Sequence, residues 1–213
     1  MNIIFHTTLK NLISSFFIIL LIGVGCKAQQ TQIDSLGFAD VLAFQAKINS
    51  EFANREESPL TEKDFENFKT LQFFPVDLKY RIMAKFIPIE NALPFEMTTT
   101  TDRKPTYRAY GNLIFEVDGI ACRLTVYQNL DLMKKEEYKN YLFIPFTDLT
   151  NSTETYGGGR YLDLELPLNE DVLLDFNKAY NPYCAYNYKY SCPIPPMEND
   201  MNVFIKAGVK RFH

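Results

Sequence analysis

The side chains best able to do chemistry crowd into residues 145–199. Tyr156-Gly157-Gly158-Gly159-Arg160 sets a glycine triplet against a guanidinium, at first sight a cradle for phosphate. The stretch lacks G-x-x-x-x-G-K-[ST], and a strand pattern follows where a phosphate loop would offer a helix N-terminus. A tight turn needing positive φ or close backbone approach is therefore the better reading. Arg160 remains a planar fork able to hold a carboxylate, either that of Glu154 or that of a ligand. Beyond it, Asp163 and Glu165 share one face of a strand with Tyr161, while Leu162, Leu164 and Leu166 take the other. Two carboxylates so placed suit acid/base work or a hard cation, and equally the solvated face of a sheet.

Further on, Asp175, Asn177 and Asn181 lead into Pro182, a pattern that a strand ending in a polar turn explains structurally. Tyr180, Tyr183, Tyr186, Tyr188 and Tyr190 follow. They suit a groove for sugars or peptides, and equally a half-exposed sheet, since tyrosine has an apolar face, a polar tip and high strand propensity. Cys184 and Cys192 are spaced for a small loop-closing disulfide in an oxidising compartment, worth roughly 2–4 kcal/mol. Cys122, in mid-strand, is expected as a buried free thiol. Candidate ligand-binding residues are thus Glu154, Tyr156, Arg160, Asp175, Asn177 and Asn181. No catalytic residue is singled out.

Several chemistries are excluded. The chain has two histidines, His6 and the terminal His213, and the first lies in a segment expected to be removed. A frayed last residue is a poor general base, so Ser-His-Asp and Cys-His catalysis are not expected. Neither is a zinc site needing paired imidazoles, and no metal or cofactor is expected. The net charge of −4 falls by one more when Lys10 is lost, and no basic run occurs. Nucleic acid is accordingly not an expected partner.

The removed segment is residues 1–25, where Lys10 precedes an apolar run from Leu12 to Gly25. That is the layout of a secretory signal, too short for a comfortable membrane span. Cleavage before Cys26 would leave an acylated lipoprotein; cleavage after Ala28 would start a soluble chain at Gln29. Either way the protein is expected in the periplasm or cell envelope, touching membrane only through a lipid on Cys26.

The elements that must carry these residues follow from periodicity. Apolar residues recur at helical spacing from Gly37 to Arg55, and Thr61 with Asp64 offers a cap for a short second helix. After Pro75 the pattern turns to strands. Asp118-Gly119 between Asn112–Val117 and Ile120–Gln128 predicts a two-residue hairpin. Strands are also expected near 80–86, 93–101, 104–110, 142–146, 159–166, 172–176 and 202–207. The fold class is mainly β (α+β): an antiparallel β-barrel or sandwich-like sheet, with one or two N-terminal helices packed against it. One domain is expected over residues 29–213.

Three segments carry a resemblance: TDLTNSTETYGGGRYLDL (147–164), LDFNKAYNPYCAYNYKYSCPIPPMEN (174–199) and IKAGVKRF (205–212). With a weaker echo in FFPVDLKYR (73–81), the chain resembles the bacterial and archaeal domain-of-unknown-function 1684 family. It departs at Pro182-Tyr183, where the family often has Pro-Pro, and at Val209, where the family closes on an acid. The resemblance implies no agreed activity and no catalytic residues. Function is expected to be that of a non-enzymatic β-rich binding or structural module, with a polar pocket formed within 148–199 for a small ligand or envelope component. The alternative is a histidine-independent hydrolase using Asp163, Glu165 or Asp175 on a glycan or other envelope component.

Overall fold

The computed structural model describes residues 34–213; the segment expected to be an export signal and Cys26 lie outside the described residues. The chain divides after Leu42, and residues 34–42 of the first unit are helical. All that follows concerns Ala43–His213. Its first element is the part from Ala43 on of the helix α1 (34–53), whose Ile48 and Phe52 pack with Leu60, Leu71, Tyr186 and Val209. The short helix α2 (Glu62–Asn67) is capped as its sequence predicts, with Thr61 Oγ1 accepting from the Asp64 amide at 3.2 Å.

Seven strands form one antiparallel sheet, a curled half-barrel: β1 (Arg81–Pro88), β2 (Phe95–Glu96), β3 (Thr106–Val117), β4 (Ile120–Asn129), β5 (Tyr141–Phe146), β6 (Arg160–Glu165) and β7 (Asp171–Asp175). Their order is β6-β5-β4-β3-β1-β7, with β2 beside β3. Asp118 and Gly119 both take positive φ (50° and 79°), giving the tight β3–β4 turn. Segments expected as separate strands at 104–110 and 112–117 are one long β3, and the expected strand at 93–101 shrinks to Phe95–Glu96.

Two irregularities shape the sheet. Between Ala109 and Gly111 the β3–β4 register shifts, so Tyr110 has no partner opposite it. Residues 107 and 109 consequently face away from Leu113, Phe115 and Val117, although all share one parity. One side of the sheet covers the main core of Leu113, Leu124, Leu142, Ile144 and Phe146. The other side carries a second cluster of Tyr107, Tyr127, Phe143 and Tyr161. At the second irregularity, Tyr127↔Phe143 is the single β4–β5 register pair, and Pro145 has no N–H to offer the ladder. The fully buried Asn199 fills the gap. Its Nδ2 donates to the carbonyls of Thr125 (2.9 Å) and Pro145 (2.8 Å), and its Oδ1 accepts from the Thr125 amide at 2.7 Å.

The expected last strand at 202–207 does not form. The segment alternates as a strand would, with Met201, Val203, Ile205 and Ala207 buried in the main core. Yet the carbonyls of Ile205 and Ala207 accept from Arg160 rather than from a neighbouring strand. A side chain has replaced the ladder.

Candidate functional site

Arg160 opens β6 with its side chain wholly buried and paired with an equally buried Asp148 at 2.9 Å. Its Nη2 also donates to Ile205 O at 2.8 Å, and its Nη1 to Ala207 O. Asp148 Oδ1 accepts from Thr150 N (2.9 Å), Thr150 Oγ1 (2.6 Å) and Ile205 N (3.2 Å). Burial pushes the guanidinium pKa down and Asp148 pulls it back up. Arg160 therefore has no face left for a ligand. Glu154, the other carboxylate suggested for it, pairs instead with Lys206 at 2.9 Å.

The remaining candidates are similarly committed. Asp175 binds Arg81 at 2.6 Å and accepts from the Asn177 amide at 3.0 Å. Asn177 clamps the backbone of Asp77, accepting from its N–H and donating to its C=O, each at 3.0 Å. Asn181 donates to Lys210 O at 3.0 Å and to the Tyr186 hydroxyl at 3.3 Å. Tyr156 lines a cavity of about 260 Å³ beside Arg211 and Phe212, with its hydroxyl 3.9 Å from Cys184 Sγ. The six side chains do not converge on one concave surface. They mostly join segments that no ladder joins.

The glycine triplet behaves as a turn. Gly159 takes φ +88°, and a Cβ there would meet Phe146 O at 2.6 Å and Pro195 Cγ at 2.7 Å. Cys122, Cys184 and Cys192 are all free thiols in this structure. The Cys184 amide donates to Cys192 Sγ at 3.1 Å. The neighbouring Cys192 is the chief influence that brings the Cys184 pKa down to about 6.

A second concave site lies on the opposite side of the sheet. A cavity of about 510 Å³ is lined by Phe143, Tyr161, Tyr180, Tyr183 and Tyr190, with Asp163 among them. Odd positions of β6 aim at it, because Tyr161 and Asp163 alternate with Arg160 and Leu162 on the core side. The register places Phe143 of β5 opposite Asp163 and so on the same face. Tyr180 reaches it through an isolated bridge to Tyr161, whose amide and carbonyl exchange hydrogen bonds with those of Tyr180 at 2.9 and 3.1 Å. Tyr141 and Tyr180 hydroxyls donate to the same Asp163 oxygen, Oδ1, at 2.7 and 2.8 Å.

Asp163 sits deep among protein atoms yet is open to the cavity it lines. Burial raises its carboxyl pKa above the ordinary range; the hydrogen bonds from Tyr141 and Tyr180 act the other way, Glu165 adds to the rise and Lys47 opposes it. The hydroxyls of Tyr141 and Tyr180 are pushed well up, chiefly by burial and then by Asp163, so both remain donors. At the cavity edge, Arg103 is tied to Ser191 by Nε–Oγ (3.1 Å) and Nη2–O (2.9 Å) bonds. Lys47 and Glu51 of α1 line it too. The site can therefore offer π faces, one carboxylate oxygen and a fixed guanidinium.

Sequence reasoning had marked Asp163 and the tyrosine run, but not Arg103, Tyr107, Tyr141 or Phe143. The Tyr141-x-Phe143 alternation facing Tyr161-x-Asp163 was the available signal. Tyr107 was hidden by the register shift at Tyr110.

Residues 66–210 match the family model described as a protein of unknown function, DUF1684. The chain belongs to this family. An uncharacterized protein of Haloarcula marismortui, solved by solution NMR, is similar to this DUF1684 chain at 30% identity and a TM-score of 0.65. The match covers 83% of this chain and 96% of that chain. No curated protein matches at a significant level. The three segments that carried the resemblance hold much of the internal stitching of this DUF1684 domain, the Asp148–Arg160 pair in the first among it.

A carboxyl pKa raised by folding means that the folded state holds its proton better than the unfolded chain does. The associated stability is present below the unfolded value, about 3.9, and is lost as pH rises through the higher folded value. Ionised Asp163 therefore costs stability at neutral pH. Asp163→Asn, which keeps the acceptor for both hydroxyls, is expected to melt higher than wild type at neutral pH. The gap should close as pH approaches about 4. A lower melting temperature for the variant at neutral pH would contradict the strained carboxylate.

Proposed function

We propose that this protein is an exported, non-enzymatic module of the cell envelope that holds a small ligand in the aromatic cavity. The observation that carries the reading is Asp163. Its Oδ1 is held by two phenol hydroxyls, while the carboxylate borders an open space of about 510 Å³. That volume lies within the roughly 300–1,000 Å³ usual for small-molecule sites. Much of the wall comes from Tyr161 to Pro193, inside the stretch singled out by composition. Export is supported by the apolar run Leu12–Gly25 ahead of Cys26.

A carboxylate hydrolase is the second reading, favoured by the raised proton affinity of Asp163 and by Glu51 lining the same cavity. Asp175 cannot be its second acid, being tied to Arg81. Binding is preferred because both hydroxyl bonds hold Asp163 as an acceptor.

Oxidation of Cys184 and Cys192 belongs to the same proposal. The disulfide would close the loop that carries Tyr183, Tyr190 and Ser191 of the cavity wall. Intact mass of protein recovered after export should show a start at acylated Cys26 or at Gln29, with the chain lighter by the two hydrogens of one disulfide. Retention of residues 1–25, or both thiols alkylating without reductant, would overturn these points.

The cavity itself is tested by a chemically mixed fragment set screened by NMR. Binders are expected to shift the amides of Asp163, Tyr180 and Ser191 without being consumed. Turnover would favour the hydrolase, and a screen with no binder at these amides would contradict the pocket.

A further inference from the structure

On the reading of that pocket as a ligand site, its walls set what fills it. The rings that form its walls stand across one another. Tyr161 meets Phe143 at 74° with centroids 4.7 Å apart, and Tyr180 at 88° and 5.8 Å. Tyr183 and Tyr190 make a further crossed pair at 61° and 5.3 Å. Crossed rings present faces and edges to a shared space from several directions, and ring faces carry negative charge density. Among these rings the carboxylate of Asp163 lines the cavity. Its Oδ1 already accepts from Tyr141 and Tyr180. Its Oδ2 is left as the acceptor for an incoming group.

We infer that the cavity binds organic ammonium compounds, the cationic nitrogen resting at Asp163 Oδ2 among the tyrosine rings, and that Arg103 at the edge favours those carrying an anionic group on a short spacer. Four charged side chains line the cavity and balance: Lys47 and Arg103 against Glu51 and Asp163. Lys47 and Glu51 approach each other at 3.8 Å along α1 and largely cancel. That leaves a carboxylate held by two tyrosine hydroxyls and a guanidinium anchored at the edge, a dipole that an ammonium-to-anion ligand complements. A neutral sugar would use the rings as stacking platforms but would leave the carboxylate without a counter-charge. An ammonium supplies one directly.

Titration calorimetry of the mature protein separates the possibilities, using choline, its uncharged isostere 3,3-dimethylbutan-1-ol, phosphocholine and N-acetylglucosamine. Choline should bind about tenfold or more tightly than the isostere, the size expected when a cation meets aromatic faces and a carboxylate. Phosphocholine should exceed choline in wild type, and Arg103→Ala should erase that advantage. Asp163→Asn should lose the preference for choline over the isostere. Because that preference is read within wild type as well, a misfolded variant does not leave the inference unexamined. Equal binding of choline and isostere, or saturation by the sugar alone, would overturn the ammonium assignment while leaving the pocket intact. If no fragment of any class engages these amides, the pocket reading fails with it.

Discussion

The fold depends on a buried ion pair. Arg160 and Asp148 lie wholly out of solvent, and between them they bond the Thr150 turn and the backbone at Ile205 and Ala207. Desolvating two charges is expensive, and the pair is tolerable because these bonds occupy most of its donors and acceptors. Nε of Arg160 is the exception, a buried donor with no partner. Removing either member would strand the other, at a cost of about 3–5 kcal/mol. The pair does what a strand ladder does elsewhere: it holds the C-terminal segment against the main core.

Placement of the cavity follows from this pin. Arg160 and Leu162 face the core, so Tyr161 and Asp163 must face the other way. Asn199 holds β4 and β5 together where Pro145 interrupts the ladder, keeping Phe143 beside Asp163. The polar residues of the motif thus serve the cavity indirectly. They fix the strands whose opposite faces build it.

Much of the fold was legible in sequence because it rests on local rules. Asp118-Gly119 specifies its turn through positive φ, Thr61 caps its helix, and alternation marks β1, β4 and β6. What escaped depends on partners distant in the chain. Residues 202–207 alternate like a strand, and nothing in that alternation says that a guanidinium more than forty residues away takes its carbonyls. The register shift at Tyr110 sends Tyr107 to the cavity side against its parity. The site was half legible for the same reason. Asp163 and the tyrosines announced themselves by type, whereas Arg160, chosen for the same reason, turned inward because Asp148 awaited it.

The C-terminal segment, held by side chains and scattered backbone bonds rather than by a ladder, is as firmly part of the core as any strand. Native-state amide hydrogen exchange tests it most directly. The Ile205 amide donates to Asp148 Oδ1 and the Val209 amide to Ala179 O. Both should exchange only through global unfolding, as slowly as Leu124 in the middle of β4. If Ile205 and Val209 exchange orders of magnitude faster than Leu124, the segment frays independently and the buried pair does not hold it.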